Sequence, residues 1–152
     1  MDPEHTNPRA LRRKENLAAR QLHIWQESKR LYTESCRVLR GLPSSLRRIS
    51  SPCIGSTERV HIEIAHGFDR GSLHEYMRHL NYALAFLGRT VSAFREFQQA
   101  GHVDRDELKR LIALAMSIEK NLLKVIACFE SQKDISWSDD RIIKGSNALS
   151  EL

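Results

Sequence analysis

Between residues 108 and 129, seven apolar side chains recur at alternating spacings of three and four: Leu108, Leu111, Ala115, Ile118, Leu122, Val125 and Phe129. An α-helix places such positions on one face, and their mean spacing of about 3.5 is the repeat of a left-handed helix bundle. A chain with this seam must supply other helices to cover it. Ile112, Leu114, Leu123 and Ile126 add apolar surface outside the seam, so this helix wants more than one neighbour, which hints at an oligomer.

Three further helical segments are predicted upstream. From Arg9 to Arg40, Leu17, Ile24, Leu31 and Val38 repeat every seven residues, with Ala18, Trp25, Tyr32 and Leu39 beside them; Gly41 and Pro43 supply the stop. Residues 44–51 read as a connector with room for a helical turn. Ser51-Pro52 then looks like an N-cap followed by proline at the first helical position. In 52–66, Val60, Ile62 and Ile64 alternate with polar residues as in a strand. A lone strand among helices has no partner, so helix is the expectation, ended by Gly67. Ser72 and Glu75 form a capping box for a helix reaching Ala100, with Gly101 after it, and Asp104 to Glu107 offer an acidic cap for the last one. The loop 101–103 is too short for anything but an antiparallel hairpin. The fold class expected is therefore all-α: an antiparallel, up-down four-helix bundle over 9–131, with a flexible N-terminus (1–8) and a polar tail (132–152). Trp137, Ile142 and Ile143 are isolated in that tail, which is expected to be flexible or to dock on a neighbouring subunit.

Composition narrows the function classes. A chain of 152 residues can bury a core without staples. There is no apolar run of membrane-spanning length and no secretory h-region, so a cytoplasmic protein without membrane contact is expected. Cys36, Cys53 and Cys128 are odd in number and widely spaced, which suits reduced packing thiols. Ser51, Ser72 and Ser92 lack the settings of a nucleophile, no Gly-rich phosphate loop is present, and 68–71 read as a tight turn rather than an anion site. His61 and His66 are five apart, as are His74 and His79; five residues turn a helix by ~500°, off a common face. No catalytic residue, cofactor or metal ligand is expected.

The remaining signal is charge. Residues 1–50 carry eleven Lys/Arg against five Asp/Glu, whereas the other residues carry thirteen against fourteen. The candidate nucleic-acid contacts are Arg12, Arg13, Lys14, Arg20, Arg37, Arg40, Arg47 and Arg48. They surround much of the polar surface of the first helix rather than forming a stripe, and no aromatic residues interleave them for base stacking. Such a distribution fits sequence-independent phosphate contact; it also fits a solvated surface, or contact with an acidic protein partner or another subunit.

The middle of the chain resembles a known family. Ile64-Ala-His-Gly-Phe-Asp-Arg-Gly-Ser72, followed by Glu75-Tyr-Met-Arg-His-Leu80 and Tyr82-Ala83, is similar to the central signature of the 23S rRNA intervening-sequence, or four-helix bundle, proteins. Leu22-His-Ile-Trp-Gln26 resembles their first helix and Ala100-Gly-His-Val103 the turn before their last. The likeness runs from about residue 20 to 130. Glu63 and His66 depart from it, standing where the family usually has Asn and Glu; Gly55, Ser56, Phe86, Arg89 and Val91 depart as well. The resemblance implies helix for 52–66, a ring-like homopentamer and no enzymatic activity. Related bundles serve as accessory proteins of diversity-generating retroelements, in contact with nucleic acid and a reverse transcriptase. RNA or DNA binding by a homo-oligomer is thus the expected function, with a protein–protein scaffold as its rival.

Overall fold

The computed structural model describes residues 8–69 and 72–131, and these contain four α-helices and no strand. Helix α1 spans Pro8–Arg40, α2 Arg47–Phe68, α3 Leu73–Ala100 and α4 Arg105–Glu130; a single 3-10 turn, Ser44–Leu46, leads into α2. Each helix packs on two others: α1 on α2 and α4, and α3 on α2 and α4. Side-chain contacts fix the antiparallel order. Arg37 near the end of α1 meets Glu107 at the start of α4, while Gln21 and Phe129 both meet Tyr76 early in α3. The expectations for residues 1–7 and for the tail with Trp137, Ile142 and Ile143 lie outside the described residues.

All seven seam residues of α4 are buried. The other three helices carry the same three–four alternation, but mixed in chemistry. On α2 the buried positions in this register are Ser50, Cys53, Thr57, Val60, Ile64 and Gly67. On α3 they are Tyr76, Leu80, Ala83, Leu87, Thr90, Phe94 and Phe97. On α1, Ser28 and Ser35 are buried between Ile24, Leu31 and Val38, and both hydroxyls donate to helix carbonyls four residues back, at 2.7 and 2.6 Å. Thr90 does likewise to Phe86, and Thr57 donates three residues back to Ile54, so no buried hydroxyl in this set needs a partner across the core. The second expected column on α1 is not core: Ala18 is exposed, Trp25 and Tyr32 are half-buried, and only Leu39 is fully covered.

The caps behave as their chemistry dictates at α3 and α4. The Ser72 hydroxyl accepts the Glu75 backbone N–H at 3.2 Å, and the Asp104 carboxylate accepts that of Glu107 at 3.0 Å. Gly101 takes φ 70°, the left-handed conformation that closes α3. Helix α2 departs from expectation at both ends. It begins at Arg47, five residues before Pro52, and its last turn contains Gly67 rather than ending there. Pro52 removes one amide–carbonyl bond from the second turn, and its ring is exposed, so the helix tolerates it. Gly67 is needed for a different reason: a Cβ at this position would lie 2.8 Å from the Tyr76 ring and 3.3 Å from the His79 Cβ. A bare backbone here lets α2 and α3 approach closely.

Candidate functional site

The candidate basic residues fall into two groups. Arg12, Arg13 and Arg20 are exposed on the first half of α1; Lys14 lies in the same stretch of helix, with its side chain outside the described set. Arg20 borders a shallow groove between α1 and α4 that also exposes His23, Asn121 and Lys124. The second group sits at the corner where α1 turns into α2. Arg40, Arg47 and Arg48 are exposed there and form no ion pair among the described residues. Arg48 also lines a groove between α2 and α3 whose other charged walls are Glu58, Arg59, Arg89 and Glu96. Along the helix axis Arg12 and Arg40 are separated by ~42 Å, so the two groups cannot act as one patch within a protomer.

Arg37 stands apart from both. Its guanidinium bridges Glu34 on its own helix at 3.0 Å and Glu107 at the start of α4 at 2.9 Å. Those carboxylates, Glu107 foremost, raise its pKa above the ordinary arginine value. The geometry makes Arg37 a tie between α1 and α4 rather than a free cation.

A second constellation is buried between α2 and α3. Glu63 is 2% exposed, and a carboxylate this deep needs compensating partners. It has two. The half-exposed Arg59, one turn earlier on α2, donates to one oxygen, and the ring of His79 on α3 meets the other, with Nδ1 2.7 Å from Oε2. The opposite nitrogen of that ring, Nε2, is buried and has no hydrogen-bond partner. His66 lies one turn beyond Glu63 and packs edge-on against His79, with ring centroids 6.0 Å apart. Its own side chain is exposed. Arg59 in turn lies over the Phe86 ring, 5.4 Å from its centre.

Sequence spacing sets His66 and His79 aside as metal ligands, and Glu63 stands out there only as a departure from the family pattern. Histidine spacing within single helices separates His66 from His79, and they meet only because α2 and α3 are antiparallel neighbours. One signal was available: Glu63 and His66 are three apart, a spacing that puts a carboxylate and an imidazole on one helix face.

The remaining titratable side chains of note are packing groups. Burial pushes the Cys53 thiol up to about 12, leaving it protonated and inert at neutral pH. The Tyr76 hydroxyl, which accepts from Gln21 Nε2 at 2.8 Å, is also raised by burial. Cys36 and Cys128 are half-buried and are not disulfide-bonded.

No protein-family model matches the chain, and no curated protein matches it in sequence. Solved structures do share its fold. One is a protein of unknown function from the S23 ribosomal protein family of Bacteroides thetaiotaomicron. It superposes with a TM-score of 0.67 over 71% of this chain and 98% of its own length, at 14% identity. At that identity the likeness shows a common four-helix architecture and nothing finer.

Proposed function

We propose that the protein is a non-enzymatic, self-associating four-helix bundle that binds RNA or DNA through sequence-independent phosphate contacts. The observation that carries this reading is the corner formed by Arg40, Arg47 and Arg48, three exposed guanidinium groups without carboxylate partners among the described residues. Arginine forks match phosphate oxygens bidentately, and unpaired ones lose no internal contact on binding. The group at Arg12, Arg13 and Arg20 would make a second contact. The ~42 Å between the groups corresponds to roughly twelve base steps of a strand. Arg37, already neutralised, is removed from the contact set.

The test is fluorescence anisotropy of labelled generic RNA and DNA over a range of salt concentrations. Binding is expected at low salt and falls as salt rises. Replacing Arg40, Arg47 and Arg48 together by Ser weakens it alike for all sequences. The same replacement lowers the salt slope by about 2–3, one counterion per lost contact. Absence of binding at low salt, or binding indifferent to salt, would sink the reading.

A second reading, a protein–protein scaffold, is favoured by a specific surface. Ala113, Met116, Lys120, Leu123 and Ala127 repeat the three–four alternation on the outer side of α4, where Met116 and Leu123 are about half exposed. That stripe also supports self-association, with a ring-like pentamer as the assembly implied by the sequence resemblance.

A further inference from the structure

We propose that Glu63, His66 and His79 form a binding site for a divalent transition-metal ion of the zinc class. One carboxylate oxygen and one nitrogen from each imidazole lie within 4.8 Å of one another. The donors come from two helices whose approach is fixed by Gly67, so the core rather than a loop positions them.

The three side chains do not form a closed internal network. In such a network every buried polar atom finds a partner. Here Arg59 and His79 satisfy the Glu63 oxygens, yet Nε2 of His79 is buried without one. With the carboxylate as acceptor at Nδ1, the neutral ring carries its proton there. An ion held between Oε2 and the ring takes that proton's place at Nδ1, which becomes the ligating nitrogen. Two imidazoles and one carboxylate make a donor set that zinc accepts, with a fourth position for water; calcium and magnesium prefer all-oxygen shells.

The geometry requires small movements, and the mobile member is placed to make them. A tetrahedral site with ligand bonds of ~2.0–2.1 Å puts donor atoms ~3.3 Å apart. Glu63 and His79 are closer than this at 2.7 Å and must part slightly, while His66, on the exposed side, swings inward and closes the site. Arg59 can keep its hold on the other carboxylate oxygen. The exposed edge at His66 is the entry path.

The experiment is calorimetric titration of the chelator-treated full chain with zinc chloride, paired with the visible spectrum of the cobalt(II)-loaded protein. One ion per chain is expected, with a cobalt spectrum of low-symmetry nitrogen–oxygen coordination. His66→Ala, an exposed substitution, weakens binding by more than the ~10–100-fold typical of losing an outer-shell partner. Arg59→Ala weakens it within that range. His23→Ala and His102→Ala, exposed and distant in sequence from the cluster, leave it unchanged. His79→Gln abolishes binding if the variant folds; the His66 result decides the question if it does not. No stoichiometric binding, or binding that His66→Ala leaves unaltered, overturns the proposal. The readout is independent of nucleic-acid affinity.

Discussion

His61 shows how a single side chain couples this fold to pH. It is half-buried between α1 and α2, its ring 5.5 Å from that of Tyr32, and its Nδ1 has no hydrogen-bond partner. Burial lowers its pKa below 6.5, with Lys29 adding to the effect; Glu58 and the Thr57 backbone oppose it without cancelling it. The folded state therefore favours the neutral ring. Its contribution to stability is complete above about pH 6.5 and is lost as pH falls through the lower folded value. Thermal melts from pH 8 down to pH 5 are expected to show a falling midpoint. His61→Gln flattens that dependence relative to the parent chain; identical slopes in the two proteins would refute the assignment. His61 was legible in the sequence only as one of a pair at the wrong spacing for metal. Its burial depends on α2 being helical from Arg47 onward, which the residues alone left open.

At the level of the element, the helices differed in how openly they announced themselves. The α4 seam is apolar at every position, so its register could be read directly. In α2 four of the six seam positions are Ser50, Cys53, Thr57 and Gly67. A pattern counted in large apolar residues misses these, and the alternation of Val60, Ile62 and Ile64 then imitates a strand. The segment is helical, and its resemblance to known bundles carries more of that inference than its own spacing does. The candidate cluster was hidden for a related reason: residues 16 apart in sequence meet only through helix pairing. Two glycines test this account of close packing. Alanine is intrinsically better in a helix than glycine by about 1 kcal/mol. At Gly88 a Cβ meets nothing within 4 Å, so Gly88→Ala stabilises by roughly 0.5–1 kcal/mol. At Gly67 the Cβ collides with a Tyr76 ring already packed against Phe68 and Phe129, and overpacking of ~1–3 kcal/mol outweighs the gain. Denaturant unfolding should give opposite signs for the two substitutions.

On the scale of the whole molecule, the bundle closes its own core yet leaves α4 with a second, outward seam. Its apolar excess had suggested more than one neighbour. Part of that excess is spent internally, because Ile126 is buried, while Met116 and Leu123 remain half exposed. If this seam joins copies of the chain, Met116→Glu with Leu123→Glu shifts the mass measured by light scattering toward the monomer without loss of helical signal. A parent chain that is monomeric at all concentrations would remove self-association altogether. No helix among the described residues is long and apolar enough to cross a membrane.

The up-and-down connectivity has a practical corollary. Pro8 and Ser131, where the described chain begins and finishes, lie toward the pole marked by Gln21, Tyr76 and Phe129, and the first turns of α1 run on past that layer. The arginine corner at Arg40, Arg47 and Arg48 occupies the other. A dye or surface linkage attached at Pro8 or at Ser131 is thus held about a helix length from that corner. Linkage at both of these positions at once still leaves the corner open to solution.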